Sequence, residues 1–351
     1  MESLNPLDCV FFSCLPPHQN THISRAKYIP TPSCLADINT VINKQLLSVY
    51  YSLESFGYHT PTHIDTLHHI GCSRLPEKRV AIITGCSKGG IGFYLCEEYA
   101  AKGFVVYATS RNVDSMVGFT HSSINTLPLD VTSDDDVKQV VDMVIEREGK
   151  VDVLINNAGV ICIGPIVEVP MEQVIKTFDA NVFGALRMAR AVIPHMASRK
   201  QGAIINIGSI VGDIPTPWNG IYCASKAALH SITEVLQMEC TPFKLTIVLV
   251  APGSVKSNLA INHAKVLTEL SPTSLYRSFI GQILARMQLS QGPKSMPTNV
   301  FAKKLVDELC QRGGPRRKIV LGGHIRQYNI LKWLPRGLVL WLIWRAFSVS
   351  R

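Results

Sequence analysis

The chain has 351 residues, of which 46% are hydrophobic and 17% charged, so it can bury a sizeable core and is not a disordered chain. Its net charge of +9 favours an acidic partner, which can be nucleic acid, an anionic membrane or a phosphorylated ligand. The charge is uneven, because residues 301–351 hold 11 Lys and Arg against 2 Asp and Glu, whereas the rest of the chain holds 24 of each sign. No nucleic-acid recognition motif accompanies it, so we expect no nucleic acid partner.

The ten cysteines form no CxxC pair, and no histidine joins them at zinc-ligand spacing. A chain of this length does not need disulfide staples, so we expect reduced cysteines and no metal site. The segment from Met1 to Asp8 lacks basic residues and no long apolar run follows it, so no secretory signal is predicted. We expect an intracellular protein, either cytoplasmic or peripheral on the cytosolic face of the endoplasmic reticulum or of lipid droplets.

Residues 1–75 show no sustained helix or strand period and are predicted to be an irregular N-terminal extension. From Arg79 onward, short apolar runs alternate with longer amphipathic ones. The predicted strands are Val80–Thr84, Phe104–Ala108, Ile124–Pro128, Val151–Asn156, Ala203–Ile207 and Leu245–Val250. The predicted helices lie near residues 91–102, 134–147, 170–198 and 221–239. Apolar strands separated by helices are typical of a parallel sheet covered on both faces. We therefore predict an α/β fold, a Rossmann-type doubly wound parallel sheet, as a single domain over residues 76–325.

Two segments interrupt or follow this alternation. Residues 254–297 are rich in Ser, Leu and Pro, and a long irregular segment late in an α/β fold is more often a binding lid than a simple connection. The basic C-terminal tail, residues 326–351, holds three of the four Trp, and its longest apolar run, Leu338–Trp344, is far shorter than the roughly 20 residues that span a bilayer. The tail predicts contact with an anionic membrane interface, and the alternative is packing on the protein's own core or at a dimer contact.

A glycine-rich turn follows the first predicted strand, in the sequence Thr84-Gly85-Cys86-Ser87-Lys88-Gly89-Gly90-Ile91-Gly92. Glycines let the backbone approach a pyrophosphate closely, and the N-terminus of the following helix offers free N–H groups to an anion. The alternative is a simple tight turn, which the strand–turn–helix context disfavours. The turn therefore predicts a dinucleotide site.

The end of the second predicted strand indicates which dinucleotide binds. An NAD-binding fold usually places Asp or Glu there to bind both ribose hydroxyls, but residues 109–113 hold no acid. An acid would repel a 2′-phosphate, whereas Arg111 can pair with one, and Lys88 adds a second positive charge. The sequence therefore favours NADP(H) over NAD(H), the alternative being that Arg111 is an ordinary solvated surface residue.

Tyr222 and Lys226 are four residues apart at the start of a predicted helix, so they share one helix face. A neighbouring ammonium favours the tyrosinate, which predicts a lowered pKa for Tyr222 and a usable proton donor or acceptor. Ser209 follows a predicted strand and can hold a substrate oxygen, and Asn181 places an amide inside a long helix. Taken singly, each residue is better explained by an ordinary structural role, but their order and spacing after the glycine turn indicate a catalytic set.

These motifs resemble the short-chain dehydrogenase/reductase family over about 250 residues, from Glu77 to Gly323. The matched pieces are Thr84-Gly85, Gly90-Ile91-Gly92, Asp130-Val131, Asn156-Asn157-Ala158-Gly159, Asn181, Ser209, Tyr222 with Lys226, and Pro252-Gly253-Ser254-Val255. Two features depart from the family pattern: the glycine turn is one residue longer, at Gly89 and Gly90, and Ser257 stands where many members have Thr. Within the family, the chain looks most similar to fungal 1-acyl-dihydroxyacetone-phosphate reductase-like members.

The resemblance implies a catalytic tetrad of Asn181, Ser209, Tyr222 and Lys226. In that scheme Tyr222 exchanges a proton with the substrate oxygen and Ser209 polarises the same oxygen. Lys226 binds the nicotinamide ribose and tunes Tyr222, and Asn181 holds a water of the proton relay. The residues implied to bind the cofactor are Gly85, Ser87, Lys88, Gly90, Ile91, Gly92, Arg111, Asp130, Val131, Asn157, Ala158, Gly159, Tyr222, Lys226, Pro252, Gly253, Val255 and Ser257.

The sequence and the resemblance together predict an NADP(H)-dependent oxidoreductase that interconverts a ketone and a secondary alcohol on a lipophilic substrate, such as an acyl-dihydroxyacetone-phosphate-like lipid, a steroid or a terpenoid. One alternative is a tailoring dehydrogenase or reductase of a fungal secondary-metabolite pathway. Another is a catalytically silent, membrane-associated binding or scaffold protein. Because helices 170–198 and 221–239 form an interface in many relatives, the resemblance also implies a homodimer or homotetramer.

Overall fold

The first strand of the computed structural model begins at Val80, and the structure describes residues 78–258 and 273–348. The predicted irregular extension over residues 1–75 lies outside the described residues. So do residues 259–272 of the predicted lid and the last three residues of the tail.

Seven parallel strands form the main sheet, in the order β3-β2-β1-β4-β5-β6-β9. The strands are β1 Val80–Thr84, β2 Val105–Ser110, β3 Ile124–Pro128, β4 Val153–Asn156, β5 Ala203–Ile207, β6 Thr246–Pro252 and β9 Lys318–Leu321. The central strand β1 pairs on both sides, with Ile83 opposite Ala108 of β2 and Ile155 of β4. The chain order reverses between β1 and β4, which is the switch point where such sheets bind ligands. The predicted Rossmann-type doubly wound sheet is confirmed.

Helices cover both faces of this sheet and bury two separate apolar layers. The helices are α1 Ile91–Ala101, α2 Asp134–Glu148, α3 Met171–Phe178, α4 Gly184–Arg199, α5 Gly220–Glu239, α6 Ile280–Gln288, α7 Thr298–Leu309, α8 Ile325–Lys332 and α9 Arg336–Ser348. On one face, α1 and α7 bury residues such as Leu95 and Phe301 against β1. On the other, α2 and α4 bury residues such as Val144 and Met188. Burial on both faces explains why β1 and β6 are continuous apolar runs rather than alternating ones.

The helix predicted over residues 170–198 is interrupted in the structure. A five-residue π-helical segment, Asp179–Phe183, separates α3 from α4. Gly184 follows it, and a Cβ at that position would lie 2.7 Å from Cγ2 of Val131, so the helix passes unusually close to the chain after β3. Segments of π-helix often occur at functional sites, and this one carries Asn181. The apolar period runs through the whole region, which is why the sequence predicted one continuous helix.

Three strands were not predicted from the sequence. The edge strand β9 pairs with β6, with Lys318 opposite Leu249, but its four residues follow a Gly-Pro-Arg-Arg turn and are too few to show a period. The other two, β7 Val255–Lys256 and β8 Met296–Pro297, form a two-residue parallel pair. This pair fastens both ends of the predicted lid beside the carboxyl end of β6.

The C-terminal tail packs against the domain through α8 and α9. Tyr328 and Val339 are buried and form a small apolar cluster with Ile214. Part of the tail therefore packs on the protein's own core. The outward face of the tail stays exposed, with Trp333 at 89% and Trp341 at 52%. No helix of the described residues is long and apolar enough to cross a membrane.

Candidate active site

A large cavity opens at the carboxyl ends of the parallel strands, where a doubly wound sheet binds its ligands. Its volume is about 1440 Å³. One end is lined by the glycine turn and by residues that follow β2, β3 and β4. The other end is lined by the described part of the lid, including α6, and by the inner faces of α8 and α9. The lid and the tail therefore form walls of the same cavity as the predicted dinucleotide site.

The glycine turn presents its backbone to this cavity because its glycines hold conformations and approaches that other residues cannot. Gly85 has a φ of +74°, and a Cβ there would lie 2.8 Å from Cα of Ala158. A Cβ on Gly92 would lie 2.6 Å from the carbonyl oxygen of Gly85. Asn157 fastens the turn to β4, since its Nδ2 donates to the carbonyl oxygens of Thr84 (2.8 Å) and Gly85 (3.0 Å). The turn is thus held as a rigid cradle of the kind that fits a pyrophosphate.

Hydroxyl groups and one guanidinium surround the cavity where β1 and β2 end. Ser87 Oγ lies 2.9 Å from Ser115 Oγ and 3.3 Å from Ser110 Oγ. Arg111 is exposed and also lines the cavity. These groups donate hydrogen bonds, and the guanidinium adds charge, so this end of the cavity suits a phosphate ester.

Lys88, unlike Arg111, is not among the residues that line the cavity. The backbone N–H of Lys88 donates to the carbonyl oxygen of Ser115 at 2.7 Å, and Asn258 Nδ2 donates to the carbonyl oxygen of Lys88 at 2.6 Å. Both backbone polar groups of Lys88 are therefore hydrogen-bonded. Its ammonium lies near Gly118, where a Cβ would be 3.3 Å from Nζ. Gly89, the extra residue of the turn, has a φ of +80° and packs against the Asn258 amide.

Gly92 likewise does not line the cavity, because it lies behind the turn and permits the close approach of α1. The other predicted cofactor-binding residues all line the cavity: Gly85, Ser87, Gly90, Ile91, Arg111, Asp130, Val131, Asn157, Ala158, Gly159, Tyr222, Lys226, Pro252, Gly253, Val255 and Ser257. The side chain of Asp130 caps its own turn, since Oδ1 accepts from the backbone N–H of Thr132 at 2.9 Å. The cavity wall therefore offers the mixture of backbone and polar groups that a dinucleotide requires.

Tyr222 and Lys226 lie in the first two turns of α5 and both line the cavity. Lys226 Nζ donates to the carbonyl oxygen of Ile207 at 2.9 Å and lies 5.7 Å from the centre of the Tyr222 ring. Ser209 lies two residues after β5 and is close enough to the Tyr222 phenol to lower its pKa. The end of β5 and the start of α5 thus bring together three of the four predicted catalytic side chains.

Burial controls the pKa values of this group. It raises the pKa of Tyr222 to about 12, with a further increase from Cys223, while the charge of Arg286 and the hydrogen bond from Ser209 lower it. Burial also lowers the pKa of Lys226 to about 8. The pKa of Tyr222 is therefore raised by burial and not lowered as expected from Lys226, and the cation that lowers it is Arg286.

Asn181 is buried, and its side-chain amide is already engaged. Its Oδ1 accepts from the backbone N–H of Val160 at 2.7 Å. Its Nδ2 donates to the carbonyl oxygen of Val160 at 2.9 Å and to Ser225 Oγ at 3.0 Å. The amide therefore fixes the loop after β4 against α5, and the relay water that the resemblance implies for Asn181 stays a prediction.

The order of these residues and the fold agree with a known family. The family model described as short chain dehydrogenase matches residues 79–266. The chain belongs to the short-chain dehydrogenase family. It is therefore an oxidoreductase of a family that acts on CH–OH groups, as the resemblance implied.

Two curated relatives and one solved structure show how far the likeness extends. An NADPH-dependent 1-acyldihydroxyacetone phosphate reductase of Schizosaccharomyces pombe is 34% identical over 242 residues, which are 68% of this chain and 81% of that protein. The short-chain dehydrogenase ptmH of Penicillium ochrochloron is 33% identical over 240 residues, 68% of this chain and 87% of that protein. The crystal structure of a short-chain dehydrogenase from Streptomyces avermitilis is 27% identical, with a TM-score of 0.63 over 79% of this chain and 98% of that one.

Sequence reasoning missed two groups of this short-chain dehydrogenase. One is Arg286 of α6, a buried cation in the substrate end of the cavity. The other is His230, which lies behind Ser209 and is hydrogen-bonded to Asp213. His230 follows Lys226 by four residues, as Lys226 follows Tyr222, so a search along this helix face would have found it. Arg286 gave no such signal, because a basic residue on a short amphipathic helix is usually solvated.

Proposed function

We propose that this short-chain dehydrogenase is an NADP(H)-dependent enzyme that interconverts a ketone and a secondary alcohol on a lipophilic substrate. The observation that carries the proposal is the Tyr222 phenol, which lines the apolar cavity together with Ser209 and with Lys226, one helical turn away. Because burial raises the pKa of Tyr222 to about 12, the phenol is protonated at neutral pH.

Each of these side chains has a distinct task in the reduction of a ketone. The Tyr222 hydroxyl donates a proton to the substrate oxygen, and the Ser209 hydroxyl donates a hydrogen bond to the same oxygen. When bound, NADPH supplies the hydride. The positive charge of Arg286 stabilises the tyrosinate that remains, which offsets part of the desolvation that opposes its formation, and Lys226 would bind the nicotinamide ribose, as the resemblance implied. In alcohol oxidation the same groups run in reverse, with Tyr222 accepting the proton.

The preference for NADP(H) rests on the polar end of the cavity. Ser87, Ser110 and Arg111 line it where β1 and β2 end, and none of these carries negative charge. An arginine can bind a 2′-phosphate through two parallel hydrogen bonds, which NAD(H) cannot use. The relative from Schizosaccharomyces pombe, which is named as NADPH-dependent, supports the same preference.

The proposal of a lipophilic substrate is based on the residues at the opposite end of the cavity. Its walls are largely apolar and come from elements that the dinucleotide does not need, namely the lid, α8 and α9. The apolar residues here include Ile214, Met287, Leu331, Leu342, Ile343 and Phe347. Pockets of this kind bind by removing apolar surface from water. The same relative is named for an acylated substrate, in agreement with this proposal.

We also propose that the exposed face of the tail places this enzyme on an anionic membrane surface. Trp333 and Trp341 point outward, and the guanidinium of Arg345 lies 5.2 Å from the Trp341 ring centre. Residues 309–351 hold nine Lys and Arg and no acid. Aromatic side chains with basic neighbours favour the interface of an anionic leaflet. The inner face of the same helices lines the cavity, so a substrate dissolved in the membrane would have a short route to the site.

The test of the catalytic proposal is NADPH consumption over a panel of acyl-dihydroxyacetone phosphates, steroid ketones and terpenoid ketones. We expect turnover with at least one class and a loss of about 10³-fold or more in Tyr222→Phe, because the proton donor is removed. Tyr94→Phe, which removes a phenol outside the cavity, serves as the matched control. Near-wild-type turnover in Tyr222→Phe would refute the mechanism, and cofactor binding without turnover of any panel member would favour the silent binding protein.

A further inference from the structure

Arg286 is a buried cation in the substrate end of the cavity. It lies on α6, within the lid, and its exposure is 9%. Its Nε donates to Thr216 Oγ1 at 3.2 Å. Its second terminal nitrogen donates to Asn219 Oδ1 at 2.7 Å, with the Asn219 amide oriented so that Nδ2 donates to the carbonyl oxygen of Cys162 at 3.0 Å. Its guanidinium carbon lies 5.8 Å from the centre of the Phe347 ring.

Every one of these contacts is with a neutral group. Among residues 78–258 and 273–348, no carboxylate lies within ion-pair distance of Arg286. A guanidinium carries five N–H donors, and the contacts to Thr216 and Asn219 use two of them. Buried charges in proteins are usually paired, because an unpaired ion in a low-dielectric site loses the free energy of its hydration and no countercharge offsets that loss. Burial accordingly lowers the pKa of Arg286.

The cation lies beside the reacting centre rather than at the entrance of the cavity. Asn219 immediately precedes α5, and Tyr222 is three residues further on. Arg286 is close enough to Tyr222 for each residue to change the pKa of the other. Arg286, Thr216, Asn219 and Tyr222 all line the cavity. A group bound to the remaining guanidinium donors would therefore lie near the substrate oxygen that Tyr222 serves.

We infer that Arg286 binds an anionic group of the substrate, a carboxylate or a phosphate ester, so that the substrate class is a lipophilic anion with its charge near the reacting carbonyl. This inference rests on the proposed function and narrows it. The planar guanidinium matches the two oxygens of either anion, and the bound anion supplies the countercharge that the protein does not. The apolar walls made by α8 and α9 then hold the hydrocarbon part of the same molecule.

The inference is tested with pairs of ketones that differ only in the anion. One pair is a long-chain oxo fatty acid and its methyl ester, and the other is an acyl-dihydroxyacetone phosphate and its dephosphorylated form. We expect Arg286→Met to lower kcat/KM for each anionic member by about 30-fold or more, since it removes one partner of a buried charge pair. The neutral members should lose much less, because they lose only the influence of Arg286 on Tyr222, and Arg286→Lys should recover part of the anion-specific loss. The pair with the larger loss identifies carboxylate or phosphate as the bound group.

A structural role for Arg286 predicts something different. If Arg286 only holds Thr216 and Asn219, or only tunes Tyr222, Arg286→Met will lower the anionic and neutral members equally, and this result would overturn the inference. Arg312→Met is the matched control, because it removes an exposed arginine that does not line the cavity. Thermal unfolding checks that each variant is folded, and Arg286→Gln replaces Arg286→Met if the latter is not.

A binding measurement separates this inference from the catalytic proposal. The oxo fatty acid and its methyl ester are titrated into the NADPH-loaded protein by calorimetry. Tighter binding of the acid in the wild type, lost in Arg286→Met, supports the anion site even if no panel member is turned over. Equal binding of acid and ester by the wild type would overturn it, even if ketone reduction is observed.

Discussion

The imidazole of His230 accepts a hydrogen bond from the backbone N–H of Ser209, with 3.3 Å between Nε2 and N. Its other nitrogen, Nδ1, lies 3.1 Å from Asp213 Oδ1, within hydrogen-bond distance. Gly208 and Gly212 make room for the ring, since a Cβ on either would lie within 2.7 Å of it. The bond to the Ser209 backbone, not to its hydroxyl, makes this a positioning arrangement rather than a nucleophilic triad.

Asp213 extends this arrangement to the tail. Its carboxylate accepts from Lys318 of β9 at 2.9 and 3.0 Å and from the Tyr328 hydroxyl of α8, and its carbonyl oxygen accepts from Arg336 at 2.9 Å. One side chain therefore joins the loop after β5, the edge strand and the tail. Through His230, it also fixes the backbone of Ser209.

Replacing Asp213 by Ala should lower both stability and activity. We expect a loss of about 2 kcal/mol in the free energy of unfolding, because several half-buried donors lose a common acceptor. Turnover should also fall in the folded variant as Ser209 loses its support. Urea denaturation and kcat measure the two effects. Asp307→Ala is the control, since it breaks only an exposed pair with Lys102. Wild-type stability in Asp213→Ala would contradict the proposed role of the network.

The contribution of the Asp213 carboxylate to the stability of the protein should depend on pH. Burial raises the pKa of Asp213, but hydrogen bonds from His230, Lys318 and Tyr328 together hold it well below its usual range. A folded pKa below the unfolded value of about 3.9 stabilises the protein above that pH, and this stabilisation is lost as the pH falls through the folded pKa. The stability advantage of the wild type over Asp213→Asn should therefore shrink as the pH is lowered below about 4. An advantage that does not change with pH would exclude Asp213 as the titrating group.

Arg111 and Lys88 offer a matched pair for cofactor choice, because only Arg111 lines the cavity. We expect Arg111→Ala to lower kcat/KM for NADPH by about 10- to 100-fold, the value of a charged hydrogen-bonding contact, while kcat/KM for NADH stays nearly constant. Lys88→Ala should change the ratio of the two values by less than about threefold. A wild type that uses both cofactors equally would refute the NADP(H) preference, and a larger effect at Lys88 would refute the assignment of Arg111.

The Lys226 ammonium should set the alkaline limb of the pH profile. Burial lowers the pKa of Lys226 to about 8, so its positive charge is present below that pH and is lost above it. We expect kcat/KM for NADPH, which reports groups of the free protein, to fall above pH 8. Lys226→Arg keeps its charge throughout this range, so the limb should disappear even if the overall rate is lower. A limb that persists in Lys226→Arg belongs to another group.

The parallel sheet and most of the site followed from local patterns. Strands such as β1 are continuous apolar runs because both faces are buried, and the glycine turn, Tyr222 and Lys226 lie within a few residues of helix starts. Each of these features is determined by residues that lie close together in the sequence. Arg111 and Asp130 line the same cavity because the carboxyl ends of neighbouring parallel strands meet at one edge of the sheet.

The features that were missed depend on contacts between distant residues. The backbone of Lys88 is held by Ser115 and Asn258, and the amide of Asn181 is engaged by Val160. The burial of Arg286 depends on how the lid closes over the loop before α5. Likewise, the apolar tail gave no sign of which face would pack, because both faces are apolar.

The exposed face of the tail should bind anionic membranes. The wild type should sediment with vesicles that contain phosphatidylserine but not with pure phosphatidylcholine vesicles, and added salt should weaken the binding. The double variant Trp333→Ala, Trp341→Ala should bind less, since it loses the exposed aromatic groups. Met238→Ala with Phe243→Ala is the control, because it removes exposed apolar side chains from α5 and the turn that follows. Equal binding of both variants and the wild type would contradict the membrane assignment. A dimer that sedimentation equilibrium detects in the wild type and not in the tryptophan variant would instead identify this face as a contact between two copies of the chain.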